Sequence, residues 1–370
     1  MQALVVLAMN PEWEAKFEPH SFGFRPGRSA IDAISHISDT LRHRKGRVPH
    51  PGWIFDADIS KCFDNIDHGA ILDKISGNPF RGVIEAWLKS GSISRVGFER
   101  AKKGTPQGGV ISPLLANIVL DGLERLFGIY TRTGNYKAPS VRAGRDKGVA
   151  LFRYADDFIV LAPSRAVLIE HVIPKIKHFL STIGLSLNEG KTRIVHISEG
   201  FTFLGFEFRR YYRRDGSIKE FSYFPARKRL DRFLSGLKDY IRLNWNVDVK
   251  MLIMGLNRRI RGFCNYYKWC NAWKAFSYLT FRIWEIMWRW AKKRHPRKRN
   301  HKWIVKRYWK SVGHSKWVFS CQGIHLIQPY TLYVQWWKRP KVRIFTSPYD
   351  PNAADYWRKR FSKRRYILNE

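Results

Sequence analysis

The chain has 370 residues, 44% of them hydrophobic, which is enough for two or three domains with a sizeable core and too apolar for a disordered chain. Its formal net charge is +37, from 67 Lys and Arg against 30 Asp and Glu, and 15% of its residues are aromatic. A charge that far from neutral opposes compaction unless a polyanion supplies counter-charge, and cations interleaved with aromatic rings suit phosphate contact and base stacking, so nucleic acid is the expected partner.

In chain order, Met1–Met9 opens directly in an apolar helical pattern without a cap, so the chain is expected to begin inside an element. Residues 21–30 (SFGFRPGRSA) read as a Gly/Pro-punctuated loop with Ser29 as N-cap of a helix that carries Ile31, Ile34, Ile37 and Leu41 on one face. Arg25 and Arg28 in that loop are either phosphate contacts or members of a solvated turn. Trp53–Ser60 reads as a strand with Asp56 and Asp58 on one face and Phe55, Ala57 and Ile59 on the other. Acidic residues on an inner face cost free energy unless paired or bound to metal. A helix running on through Leu72 and Ile75 follows, then a helix near Val83–Leu88 and a hairpin over Ser92–Arg100. Gly108 and Gly109, after Gln107, allow close backbone approach to a ligand, and Pro113 opens a helix expected to run to Phe127. No Gly-Lys-Ser/Thr follows, so this is not a Walker loop. After a Gly- and Arg-rich loop at 132–148, Leu151–Ala162 reads as two short strands joined by a turn at Ala155-Asp156-Asp157. A hairpin tip can hold carboxylates at a fixed point for a divalent cation, although Asp is also an ordinary turn residue.

A helix over Val167–Ile183, a turn at Asn188–Thr192, a strand at Arg193–Ile197 and one aromatic strand over Phe201–Phe208 complete this part. Beyond Pro225 the pattern becomes helical and strongly basic, with the run Lys292-Lys293-Arg294-His295-Pro296-Arg297-Lys298-Arg299 between tryptophans, and it turns short-stranded from about Ser311 before a basic terminal helix. No stretch approaches transmembrane length, and Ala3–Met9 is too short for a signal-peptide core, so no membrane partner and no secretion are expected. The four cysteines, at 62, 264, 270 and 321, form no Cys-x-x-Cys pair and read as reduced thiols.

In-line phosphoryl transfer by two metal ions needs carboxylates from separate strands meeting at one point, which two strands of one antiparallel sheet can supply. In this order of motifs the chain resembles the reverse transcriptases encoded by group II introns, over nearly its whole length. The resemblance rests on SFGFRPGRSA at 21–30, FDADISKCFDNIDH at 55–68, GTPQGGVISPLLAN at 104–117, YADD at 154–157, NEGKT at 188–192 and FLGF at 203–206, with LNRRIRGFCNYY at 256–267 and HPRKRNHKWIVKRYW at 295–309 similar to the family's thumb or maturase domain.

The resemblance implies an α+β right-hand polymerase, with a palm and partial fingers over 1–224, an α-helical thumb or maturase domain over 225–312, and the start of a basic DNA-binding region over 313–370. It implies that Asp58, Asp156 and Asp157, with the Ile59 carbonyl, hold two Mg²⁺ ions. Phe63 would lie under the sugar of the incoming dNTP, Gln107 and Gly108 would line the nucleotide, and Lys191 would meet the pyrophosphate. Phe203, Leu204 and Gly205 match the primer grip. Arg25, Arg28, Arg258, Arg261, Lys292, Lys293, Arg294, Arg297, Lys298 and Arg299 are the implied nucleic-acid contacts. The implied partners are intron RNA, an RNA template with its DNA primer, target DNA and dNTPs, in a bacterial cytoplasm or an organellar matrix or stroma. Against the family pattern, Met1 falls within the fingers and no His-Asn-His endonuclease with Cys pairs follows. The expectation is therefore an N-terminally truncated polymerase and maturase, or alternatively an RNA-binding maturase that keeps the fold without useful synthesis.

Overall fold

The computed structural model describes residues 1–42, 51–90, 92–94, 97–99, 103–105, 108–128, 148–298, 300–333 and 342–369. Gln107, Arg299 and nearly all of the expected loop at 132–148 lie outside the described residues. The chain divides into two compact units, one of residues 1–201, 210–221 and 341–370, the other of residues 202–209 and 222–340. This division differs from a sequential one at 224 and 312: the expected C-terminal segment is shared between the two units.

In the first unit, α1 (Gln2–Lys16) buries Val5, Met9 and Trp13 at helical spacing and continues through Pro11. Helix α2 (Ala30–Leu41) has Ser29 at its N-cap position, but the Ser29 hydroxyl donates to Asp32 rather than receiving a backbone N–H. Strand β1 (Trp53–Asp58) leads into two short helices, α3 (Cys62–Asn65) and α4 (His68–Lys74), instead of one long one. The break comes from Asp67, whose carboxylate accepts the Ala70 N–H at 2.9 Å and so caps a new helix. Next are α5 (Arg81–Lys89), the two-stranded hairpin of β2 (Ser92–Ser94) and β3 (Gly97–Glu99), and α6 (Ser112–Leu120). Helix α6 stops seven residues before the expected end because Gly122 adopts φ +125°. Strands β4 (Ala150–Tyr154) and β5 (Asp157–Ala162), a π-helical turn at Val167–Val172 running into α7 (Ile173–Thr182), and β6 (Arg193–His196) complete the core of the unit. The antiparallel sheet has the order β4-β5-β1-β6. Phe55 and Ala57 of β1 and Phe158 and Val160 of β5 share one hydrophobic cluster with the helices, while Asp56 and Asp58 alternate away from it.

The segment read as one aromatic strand is two, β7 (Phe201–Phe203) and β8 (Phe206–Tyr212), joined at Leu204 and Gly205, both with positive φ; β9 (Ile218–Pro225) completes a three-stranded sheet. In the second unit, α8 (Arg227–Leu243), α9 (Val249–Tyr267), α10 (Trp273–Arg294) and α11 (His301–Tyr308) precede a small sheet of β10 (Trp309–Val312), β11 (Ser315–Cys321) and β12 (Ile324–His325). Leu230, Leu234, Leu256, Ile260, Phe276 and Met287 are buried here at helical intervals. The terminal helix α12 (Ala354–Asn369) belongs to the first unit, where Arg360 forms a buried ion pair with Asp32 at 2.6 Å. All four cysteines are free. Among the described residues, no helix is long and apolar enough to cross a membrane.

His36 on α2 ties in the same C-terminal segment. Its Nε2 lies 3.1 Å from the Val342 carbonyl, which can only accept, so the ring proton sits there. Burial, and then the neighbouring His20, push the His36 pKa down from 6.5 to about 4. The unfolded chain therefore binds a proton below pH about 6.5 that the folded chain refuses until about 4, and stability drains away as pH falls through that window. Wild type is expected to lose roughly 2–3 kcal/mol more than His36→Gln between pH about 7 and about 4.5, read from urea melts. Parallel losses in the two proteins would remove His36 from the account.

Candidate active site

Strand β1 ends at Asp58, and the register sets Asp58 opposite Asp157 on β5. Tyr154 also pairs with Asp157, so the β4–β5 turn consists of Ala155 and Asp156, with Ala155 held at φ +58°. Asp58 and Asp157 thus stand opposite each other on neighbouring strands, with Asp156 in the adjoining turn. The Asp157 pKa is pushed up to about 6, first by burial and then by the charges of Asp156 and Asp58 and a hydrogen bond shared with Asp58. Two carboxylates that share a proton carry more negative charge than their surroundings neutralise. Hard oxygen donors with surplus negative charge fit a divalent cation such as Mg²⁺. Among the described residues no three His, Cys, Asp or Glu side chains are grouped so as to hold a metal ion, and the Lys191 ammonium engages Asp58. Lys191 Nζ, largely exposed, donates to Asp58 Oδ2 at 2.9 Å, and Asn188 Nδ2 donates to the same oxygen at 3.2 Å. Asp56, one pleat back, is paired with Arg193 at 3.0 Å.

Next to this cluster Ile59 is buried and bridges to Leu187. Lys61 takes a left-handed conformation, and Phe63 follows, half-buried and edge-on to Phe24 at 6.3 Å. The Phe63 carbonyl accepts the Thr105 N–H at 2.6 Å. Gly104, at φ +83°, runs so close that a Cβ would lie 2.5 Å from the Asp64 carbonyl oxygen. Gly108 is exposed with φ +84°, and nothing stands near its missing Cβ, so its conformation rather than space calls for glycine.

The loop at 21–30 does something other than expected. Arg25 and Arg28 are buried, 4% and 8% exposed, and are engaged inside the fold. Arg25 makes a two-pronged pair with Glu14, both contacts at 2.9 Å, and also donates to the Glu18 and Ser21 carbonyls. Arg28 donates to the carbonyls of Pro19, Ser21 and Ile344. The sequence displays their charge but not the carboxylate and carbonyls that consume it. The loop is instead a strut under the Asp-bearing hairpin. His20 O accepts the Arg153 N–H at 3.0 Å, and Arg153 O accepts the Phe22 N–H at 2.9 Å. Gly23 packs against the turn itself, where a Cβ would lie 2.3 Å from Ala155 N. Asn117 on α6 donates to Gly23 O and accepts from Arg153, both at 2.9 Å, while Arg153 also donates to Ala155 O at 3.1 Å. Gly23, Asn117, Arg153 and Asn188 are positioning residues that motif reading passed over. The signal available was a buried-looking Arg and Asn inside otherwise apolar runs.

In the second unit, Leu204 and Gly205 form the β7–β8 turn, Leu204 O accepts from Tyr266 at 2.9 Å, and Gly205 lies close to Tyr267 and Arg229. Arg258, Arg261, Lys292, Lys293, Arg297 and Lys298 are exposed, with Lys298 over the Trp303 ring at 5.3 Å. Arg294 is half-buried and donates to the Trp245 carbonyl.

Residues 1–208 match the family Reverse transcriptase (RNA-dependent DNA polymerase), more than half of the chain. The chain belongs to the reverse transcriptases. Residues 230–309 of this reverse transcriptase match a second family, Group II intron, maturase-specific domain. The acid-bearing antiparallel sheet is thus the polymerase palm, and α8 to α11 carry the maturase-specific part. Protein YkfC of Escherichia coli strain K12 is 32% identical over 252 residues, covering 62% of this chain and 65% of YkfC. Group II intron-encoded protein LtrA of Lactococcus lactis subsp. cremoris is 27% identical over 358 residues, covering 76% of this chain and 58% of LtrA. The chain therefore spans about three-fifths of the length of these relatives. Among solved structures, telomerase from Candida albicans with a telomeric RNA fragment matches with a TM-score of 0.41 and 13% identity, covering 82% of this chain and 52% of the telomerase chain.

Proposed function

We propose that the chain is the polymerase and maturase part of a group II intron-encoded protein, extending a DNA primer on an RNA template and assisting splicing of its host intron. The observation that carries the polymerase reading is Asp58 opposite Asp157 with Asp156 at the adjoining turn. In this reading the three carboxylates and the Ile59 carbonyl hold two Mg²⁺ ions. Ions held by Asp58, Asp156 and Asp157 would supply Lewis-acid activation of the primer 3′-hydroxyl and neutralise charge on the phosphoryl and leaving oxygens. Lys191, which now neutralises Asp58, is placed to turn to the departing pyrophosphate. The Phe63 ring lies beneath the sugar and clashes with a 2′-hydroxyl, which favours dNTPs, while Gln107 and Gly108 line the nucleotide and Phe203 to Gly205 hold the primer. Arg258, Arg261, Lys292, Lys293, Arg294, Arg297, Lys298 and Arg299 grip intron RNA and target DNA through phosphates. Arg25 and Arg28 are left out of this reading. The protein acts where such introns are transcribed, in a bacterial cytoplasm or an organellar matrix or stroma.

Extension of oligo(dT) on poly(rA) with Mg²⁺, compared with Asp156→Ala, tests the polymerase half. Equal, background-level extension by both proteins would leave a maturase alone. Lowering of the Mg²⁺ requirement for splicing of the host intron tests that second half. Intron RNA binding is expected to survive Asp156→Ala but to weaken about 10³- to 10⁵-fold between about 50 and 200 mM salt, as six to ten phosphate contacts imply. A salt-insensitive affinity in filter binding would refute that.

A further inference from the structure

A cavity of about 310 Å³ opens within the second unit, between α10 and the β11–β12 sheet. Its walls include Phe281, Trp284, Trp317, Phe319 and Leu326. Two of these rings stand at the mouth rather than in the core, Phe281 at 59% exposure and Trp317 at 51%. Exposing two large rings side by side on a helical unit costs free energy, and a face of this kind marks a binding site. Among the described wall residues, Gln328 offers a polar group to an occupant. Gln328 Oε1 accepts from Tyr330 Oη at 3.1 Å, which fixes the amide and leaves its Nε2 as a donor.

The charge around the cavity narrows the occupant. Between Asp248 and Asp350 the sequence holds a single acidic residue, Glu285, and Arg282 pairs with it. Lys274 lies seven residues before Phe281 on α10, hence on the same helix face, and is exposed. Lys316 precedes Trp317 and is exposed as well. A second copy of a chain carrying +37 would be repelled from this face, and a neutral apolar peptide would leave the cations unanswered. Flat aromatic walls, one amide donor and a rim of lysines match a nucleobase with its own phosphate.

We propose that this cavity captures one unpaired nucleobase of RNA, stacked between Phe281 and Trp317, with a base carbonyl accepting from Gln328 Nε2 and the flanking phosphates beside Lys274 and Lys316. The proposal rests on the maturase reading and deepens it. It gives the helical unit a means of telling a looped or bulged RNA from a fully paired one, which phosphate contacts alone cannot do.

The test uses the full chain and two RNAs of equal length and charge, a hairpin with a single bulged nucleotide and its fully paired counterpart, in competition filter binding. Wild type is expected to prefer the bulged RNA by about 10-fold or more, as one base stacked on aromatic rings implies. Phe281→Ala and Trp317→Ala should remove that preference while leaving affinity for the paired RNA and its salt dependence unchanged. Gln328→Ala should reduce the preference selectively for some bases. Because Phe281 and Trp317 are both largely exposed, their truncation leaves the core intact, and retained paired-RNA binding certifies the fold. Equal binding of both RNAs by wild type would overturn the cavity's role while leaving the maturase reading in place. Failure to bind either RNA would overturn both. A bulged DNA bound as tightly, with the same loss in the variants, would overturn the commitment to RNA. Self-association that Trp317→Ala abolishes would overturn it in favour of a second copy.

Discussion

Asp156→Ala is expected to lower primer extension by a factor of about 10³ or more, because in the proposed reading the carboxylates hold the metal ions on which several kcal/mol of transition-state stabilisation would depend. Asp157→Asn should be equally inactive, with a second effect of opposite sign. The Asp157 pKa is raised from 3.8 to about 6, so the folded chain holds a proton that the unfolded chain has released. The stability this confers is present below pH about 4 and gone once pH has risen through about 6. At neutral pH and without metal, the ionised side chain therefore destabilises the fold. Removing its charge should stabilise the metal-free protein by about 1 kcal/mol, an allowance for the carboxylate's access to solvent. In EDTA at pH about 8, Asp157→Asn should melt roughly 2–4 °C above wild type. Adding Mg²⁺ should then raise the wild type and leave the variant in place. A lower melting temperature for Asp157→Asn in EDTA would show that the three aspartates do not repel one another as described.

Gly23→Ala is the other large effect. The added methyl would sit 2.3 Å from Ala155 N and 3.0 Å from the Tyr154 carbonyl carbon, both backbone atoms at the Asp156 turn. Backbone cannot swing aside as a side chain does, so the turn must shift. A displacement of about 1 Å at reacting groups costs on the order of 10²-fold in rate. The expected result is a 10²-fold or larger loss of primer extension, by that estimate, with paired-RNA binding retained, since the cations assigned to RNA lie in the other unit. Single-turnover extension alongside RNA binding separates the two. Full activity in Gly23→Ala would mean that the strut does not position the hairpin.

What the sequence made legible depended on whether a property is local. The strand alternation from Trp53 and the double-Asp hairpin are properties of neighbouring residues; both form, although the strand stops at Asp58 rather than Ser60 and Asp157 joins β5 instead of the turn. Whether a charge is buried depends on residues far along the chain. Nothing beside Arg25 announces Glu14, and nothing beside Arg28 announces Ile344. Boundaries failed for local but subtle reasons. Asp67 begins a second helix where a continuous apolar pattern suggested one, and Gly205 turns a chain whose aromatic flanks both favour strand. The strut of Gly23, Asn117 and Arg153 was hidden because each acts only through the others, which lie far away along the chain.

The near absence of acid between Asp248 and Asp350 bears on kinetics as well as affinity. A surface of one sign draws any polyanion in at rates approaching the diffusional ceiling, whatever its sequence. Host and foreign RNAs should then reach the protein equally fast. Selection among them would then fall to residence time rather than to the rate of encounter.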